Sequence, residues 1–269
     1  MIRNATRDEL PALRELLLSA NDAPYDIGTV AEEKCFGAGV SGAPIVRVFG
    51  NYEGVAVRRG KYLRLIAVRR DKRRQGIGSA LLADAEDCGA TTIAAEPGNY
   101  FTPGVADSDI ETIRFFTKRH YIETAETHNL IAGTNVSAPA EPRRPAPDER
   151  DQILPFIEKH FGCAWRFEAA RAFENDPPTI FVIDGAGFAA HEANNRGLGT
   201  FGPTGVVEEM RGRGLGTLLV RASLADLARL GYGEAVIPWT DAFDFYKKSC
   251  GARPAQRFVT LVKAIDSPP

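Results

Sequence analysis

One short pattern occurs twice in this chain, as Val68–Gly78 (VRRDKRRQGIG) and as Val206–Gly216 (VVEEMRGRGLG), and it restricts the fold more than any other feature of the sequence. Each copy has a valine, an arginine five residues on, and then Gly-x-Gly. Each follows an apolar run that reads as a strand, Leu63–Val68 or Thr200–Val207. Each then opens a run with helical spacing: Ile77, Leu81 and Leu82 in the first, and Leu215, Leu218, Leu219, Leu224 and Leu227 in the second. A strand, a tight glycine turn and a helix amino terminus are thus expected twice. Such a turn aims several unpaired backbone N–H groups the same way, and the helix dipole adds partial positive charge, which suits a pyrophosphate. Glycine is needed because a Cβ would block the phosphate.

The two turns, Arg73-Arg74-Gln75-Gly76-Ile77-Gly78 and Arg211-Gly212-Arg213-Gly214-Leu215-Gly216, resemble the R/Q-x-x-G-x-G/A acetyl-CoA signature of the GCN5-related N-acetyltransferase superfamily. The resemblance extends over nearly the whole chain. It implies an α/β (α+β) protein of two tandem acetyltransferase-type domains, each a mixed, mostly antiparallel sheet flanked by helices. It also implies coenzyme A at Val68 and Arg73 to Gly78 in one domain, and at Val206, Val207 and Arg211 to Gly216 in the other. A dinucleotide fold would require G-x-G-x-x-G at these turns and a P-loop Gly-Lys-Ser/Thr, and the turns have neither.

Hydrophobic content of 44% with 25% charged residues is that of a globular protein, and 269 residues suffice for two domains. A formal net charge of −2 gives the whole chain no electrostatic reason to seek nucleic acid or an anionic membrane. The basic stretch Arg58, Arg59, Lys61, Arg64, Arg69 and Arg70, continuing through Lys72 to Arg74, reads as a solvated strand edge leading into a phosphate-binding turn. Cys35, Cys88, Cys163 and Cys250 form no C-x-x-C pair and, with four scattered histidines, give no metal spacing. With no apolar run long enough for a membrane span or a leader, the expected location is cytoplasmic, with monomer and homodimer both open.

The proline-rich segment AGTNVSAPAEPRRPAP, Ala132 to Pro147, reads as a linker, giving domains at 1–133 and 148–269 joined by 134–147. On either side the chain restarts alike. Asp8-Glu9 precedes an amphipathic helix with Leu10, Leu13, Leu16 and Leu17, and Asp148-Glu149 precedes one with Ile153, Leu154, Phe156 and Ile157. Strands are expected over Thr91–Ala95 and Ala235–Trp239, helices over Ile110–Lys118, Gly214–Leu230 and Ala242–Ser249, and a terminal hairpin at the end of each half.

Acetyl transfer from a thioester to an amine requires that the carbonyl be polarised, the amine deprotonated and the departing thiolate protonated. The resemblance assigns the first task to a backbone N–H near Val206 or Val207. It assigns the last to Tyr246, which stands in Ala242-Phe243-Asp244-Phe245-Tyr246-Lys247-Lys248, a segment similar to the family's tyrosine-bearing helix. Trp239 replaces an asparagine that often contacts the pantetheine arm. In the first half Phe116 stands where Tyr246 stands in the second, and phenylalanine cannot donate a proton; Tyr121 lies more than a turn further on. Catalysis is therefore expected in the second half, with the first binding coenzyme without chemistry. For the general base, His191, Glu192, Asp241 and bulk water are alternatives. The segment His160 to Glu168 could present aromatic faces to a small cationic amine or pack them into the core. The unusual loop Glu96 to Gly104 could close over a ligand or dock the halves. An acyl-CoA-binding module without activity and a protein lysine or amino-terminal acetylase are the competing functions.

Overall fold

The computed structural model describes residues 1–20 and 26–264. The first half runs β1 (Ile2–Asn4), α1 (Leu10–Ala20), α2 (Ile27–Phe36), β2 (Ile45–Phe49), β3 (Gly54–Arg59), β4 (Tyr62–Val68), α3 (Ile77–Asp87), β5 (Thr92–Ile93), β6 (Val105–Ala106), α4 (Ile110–Thr117) and β7 (Tyr121–Gly133). The second runs α5 (Arg150–Phe161), α6 (Cys163–Ala172), β8 (Ile180–Ile183), β9 (Gly187–His191), β10 (Phe201–Val206), α7 (Leu215–Arg229), β11 (Glu234–Thr240), α8 (Phe243–Cys250) and β12 (Arg253–Lys263).

The chain divides into two compact units, but not in sequence order. The first is Met1–Thr127 together with the chain from Arg257 onward, and the second is His128–Gln256. The expected division at 1–133, 134–147 and 148–269 is corrected accordingly. β5 and β6 are short, and it is β12 that extends their ladders, through Leu261↔Ile93, Val262↔Thr92, Phe258↔Ala106 and Val259↔Val105. Single long strands, β7 and β12, stand where terminal hairpins were expected. Nor is the proline-rich segment a free spacer: Arg143 exchanges backbone hydrogen bonds with Val182 (3.0 and 2.9 Å), and Thr134 Oγ1 donates to the Tyr232 carbonyl.

In the first unit β1 to β4 form an antiparallel meander. Leu13, Leu16 and Leu17 of α1 and Ile77, Leu81 and Leu82 of α3 are buried, as their helical spacing requires. β4 pairs in parallel with β5 only at Tyr62↔Thr92 and Leu63↔Ile93. Beyond that point Ala94 and Ala95 take φ of 53° and 49°, outside β geometry, so the expected strand stops short and Leu65–Val68 lose a β5 neighbour. In the second unit β8, β9 and β10 form an antiparallel sheet, and β10 meets β11 at one parallel bridge, Thr200↔Val236. β10 then bulges between Phe201 and Thr204, and β11 shifts register at Trp239 (φ 52°) against the end of β7. Both units thus open a gap between two parallel strands beside a glycine turn.

Candidate coenzyme and acyl-transfer site

The two turns have nearly the same backbone. Gly76 and Gly214, each the residue before its helix, have φ, ψ of 83°, −5° and 80°, −5°. Arg73 and Arg211 sit at −64°, 160° and −64°, 162°. Each arginine donates from Nε to the last strand carbonyl, Val68 at 3.3 Å and Val206 at 3.2 Å, and so clasps its turn shut. No side chain caps α3 or α7, so the first N–H groups of both helices remain available. A Cβ on Gly76 or Gly214 would meet nothing within 4 Å. The space in front of those N–H groups is therefore clear, and the positive φ makes any other residue strained there. The turns fit a pyrophosphate.

In the first unit the turn borders a cleft of about 940 Å³, within the range of cofactor pockets. Leu65 to Val68, the strand portion without a β5 neighbour, forms one wall, and Phe101, Phe115 and Phe116 contribute to the lining. Arg119 stacks on Phe115 at 4.0 Å and donates to Ser79 Oγ at 2.6 Å, bridging α4 to the first turn of α3. Phe116 is buried edge-on between Phe115 and Tyr121. Tyr121 is buried as well and donates its hydroxyl to Glu86 at 3.0 Å; burial and that carboxylate raise its pKa above the ordinary phenol value.

In the second unit Tyr246 is 7% exposed, edge-on to Phe245 at 4.9 Å and Phe201 at 6.1 Å. Burial raises its pKa above the usual phenol value, so it is protonated at neutral pH. Its hydroxyl makes no hydrogen bond to another described residue. A Cβ on Gly216 would lie 3.1 Å from the Phe245 ring, and one on Gly78 would lie 3.5 Å from Phe115. Phe245-Tyr246 and Phe115-Phe116 therefore occupy matching places against their turns, as the sequence comparison expected. The two backbone donor candidates separate. Val207 N–H is taken by the Ala186 carbonyl at 2.9 Å. Antiparallel ladders bond alternate residues, so the N–H of Val206, paired with Gly187, faces away from β9 into the gap. Of the two, the Val206 N–H is the one that the β9 ladder leaves unpaired.

No known family profile and no curated protein matches the chain. Solved structures do. A tandem GNAT protein from the clavulanic acid biosynthesis pathway matches with a TM-score of 0.65 at 18% identity over 99% of both chains. A GCN5-related N-acetyltransferase from Sphaerobacter thermophilus matches at 0.64 and 16%, over 99% of this chain and 97% of that one. The chain carries the GCN5-related N-acetyltransferase fold. A third structure with this fold is the GCN5-related glucosamine N-acetyltransferase region of a fungal multi-domain GH3 β-N-acetylglucosaminidase, at 0.75 and 18%. It matches over 97% of this chain, which spans 38% of the fungal protein's length.

On this fold two of the base candidates from the sequence, His191 and Glu192, are held in structural contacts. His191 is fully buried, with Nε2 3.0 Å from Asp226 Oδ2 and its ring stacked on Phe181. Asp226 is further paired with Arg144 at 2.6 Å, which ties the proline-rich segment to α7. Glu192 accepts from the N–H groups of Gly197 and Thr200 and from the Tyr232 hydroxyl, and so fastens the β9–β10 connection. Neither is open to an entering amine. In the segment from His160 to Glu168, Phe161 stacks on Trp165 at 5.6 Å, and both cover Gly205. A Cβ there would come within 2.6 to 2.9 Å of their rings, so glycine is required by close approach, and the packing alternative holds.

The loop from Glu96 to Gly104 is anchored within the first unit. Glu96, fully buried, receives Arg59 Nε at 2.5 Å and Arg64 Nε at 2.6 Å. Asn99 donates to the carbonyls of Gly37 and Ala38 and accepts from Lys34 Nζ at 2.9 Å, fixing the loop to α2. The basic stretch is divided by such pairings: Arg59 and Arg64 lie inside, Arg69 pairs with Asp71, and Arg74 with Glu111. Among the described residues no cluster of His, Cys, Asp or Glu could hold a metal ion, and no helix is long and apolar enough to cross a membrane. The structure also brings forward His128, which the sequence gave no reason to single out: its Nδ1 lies 3.5 Å from Asp241 Oδ1, a residue far along the chain.

Proposed function

We propose that this protein is an acetyl-CoA-dependent N-acetyltransferase of the cytoplasm that acetylates a primary amine of a small molecule by direct attack in a ternary complex. The placement of Phe245-Tyr246 against Gly216, beside an open glycine turn, carries this reading. Acetyl-CoA is a substrate here, its pyrophosphate on the N–H groups from Gly212 to Gly216 of the turn that Arg211 clasps, and its thioester in the gap between β10 and β11. Val206 N–H polarises the carbonyl, and Tyr246 protonates the sulfur as the C–S bond breaks. In the first unit Val68 and the turn from Arg73 to Gly78 bind a second coenzyme molecule, while Phe116 leaves that unit without an acid. The glucosamine acetylation named for the fungal neighbour is in keeping with a small amine acceptor.

Calorimetry with coenzyme A on the wild type and on Gly214→Glu, with the fold checked by circular dichroism, tests the binding half. Equal affinity at the second site in both proteins would sink it. Thiol release with a panel of amino sugars, amino acids and polyamines tests the transfer half.

A further inference from the structure

We propose that His128, paired with Asp241, is the general base that removes the first ammonium proton of the acceptor. The inference rests on the reading that catalysis occurs in the second unit. His128 opens that unit on β7 and pairs with Thr240 across the β11 ladder, where the register shifts and Trp239 N–H is captured by Asn129 Oδ1 at 3.2 Å. Bulges of this kind re-aim side chains beside active sites. His128 and Leu130 alternate onto the same sheet face, and Leu130 belongs to the core cluster that contains Tyr246. The His128 ring meets Phe243 edge-on at 4.8 Å. Phe243 and Tyr246 are one turn apart on α8 and hence neighbours on its surface.

The ring is placed for proton transfer. Nδ1 is buried without a hydrogen bond and lies within ion-pair reach of Asp241 Oδ1, at 3.5 Å, while the His128 side chain as a whole is 25% exposed and Asp241 70%. Nε2 hydrogen-bonds no described residue and is the nitrogen open to a substrate. A carboxylate this close to one imidazole nitrogen stabilises the imidazolium that forms when the other takes a proton. Among the described residues Asp241 is the charged group in contact with the ring; β11 otherwise presents Thr240 and α8 presents Phe243.

The proton balance closes with two groups on the same side of α8. The acceptor's ammonium gives one proton to His128 Nε2, and the freed lone pair forms the C–N bond at the thioester carbon. The second nitrogen proton leaves as the tetrahedral carbon collapses and the C–S bond breaks. Tyr246 supplies the proton that the sulfur takes and is itself reprotonated from the nitrogen protons, by way of solvent. One proton in all is released, through His128.

The test compares wild type, Tyr246→Phe, His128→Gln, His128→Ala and Asp241→Asn in thiol release with the amine panel, across pH. His128→Gln should lower kcat by about 10²-fold or more with coenzyme affinity unchanged. It should also abolish the rise of kcat/KM with pH that deprotonation of a base produces. Added imidazole should restore part of the rate in His128→Ala, which a packing role for the ring would not allow. Asp241→Asn should lose about tenfold and keep the pH limb at a shifted position. If His128→Gln retains the wild-type rate and pH profile while Tyr246→Phe is impaired, the base is another group and the second-unit reading stands. If both variants keep full rate, or the wild type acetylates no amine, the second-unit reading fails and His128 with it.

Discussion

The two glycine turns share a backbone to within a few degrees and share almost no charge. The first carries Arg69, Arg70, Lys72, Arg73 and Arg74 against Asp71; the second carries Arg211 and Arg213 against Glu208 and Glu209. The difference continues further along each unit, where Arg114 of α4 and Arg119 just past its end face their turn from the positions that Asp244 and Ser249 hold on α8. In the second unit Thr217 Oγ1 and Ser249 Oγ share a hydrogen bond at 2.8 Å in place of the Ser79–Arg119 contact. The unit with the richer phosphate electrostatics has the phenylalanine, and the unit with the balanced turn has the tyrosine. The form of the turn resides in glycine and main chain, so phosphate affinity and chemistry, which reside in side chains, are free to part.

The comparison breaks most easily at the matched ring positions. Tyr246→Phe should lower turnover by roughly 10²- to 10⁴-fold with little change in coenzyme affinity. Phe116→Ala should leave turnover intact, as steady-state thiol release on a confirmed acceptor will measure. Equal losses in the two variants would erase the division of labour.

A smaller effect concerns stability. Glu96→Ala strands the buried guanidinium groups of Arg59 and Arg64 and should cost about 3–5 kcal/mol, read by urea unfolding.

Asp226→Asn is the counterpart in the second unit and should cost about 1.5–3 kcal/mol at pH 7 through weakened charge-assisted bonds to Arg144 and His191. Although burial opposes ionisation, those partners hold the Asp226 carboxyl below its ordinary value. A depressed carboxyl stabilises the fold above the unfolded pKa of about 3.9, and that stabilisation is lost as pH falls through the folded value. The wild-type advantage over Asp226→Asn should therefore shrink below about pH 4. A gap that widens in acid would contradict the pairing.

Smallest is the difference in affinity. Two coenzyme sites should titrate per chain, with the Arg73–Gly78 site about tenfold tighter at low salt and losing affinity faster as salt rises. Calorimetry in two salt concentrations, with Gly76→Glu and Gly214→Glu to assign the sites, will separate them. A single site at millimolar coenzyme would remove the first unit from the binding account.

What the sequence made legible was local. The helix expected over Gly214–Leu230 occupies Leu215–Arg229 and stops at Gly231, with φ 94°, because apolar spacing and a left-handed glycine are both written within a few residues. The match of Phe116 with Tyr246 was read the same way. The strand expected over Thr91–Ala95 failed at two alanines with positive φ, a conformation alanine does not announce. The burial of His191 against Asp226 depends on α7, and the approach of His128 to Asp241 depends on the pairing of β7 with β11, so neither is written locally. Val207 was lost as a donor to a ladder bond whose register only the folded sheet fixes.

The route of the chain through its units carries a consequence for synthesis. The second unit is a continuous segment, His128–Gln256, whereas the first is closed by Phe258, Val259 and Leu261, all buried and all made after the second unit. A ribosome adding about 5–20 residues per second spends on the order of ten seconds between releasing Thr127 and releasing those side chains. Throughout that interval the amino-terminal unit has its turn, its helices and its meander but lacks the strand that extends β5 and β6. The unit that is born first is finished last, and the later-born unit is already complete when it closes.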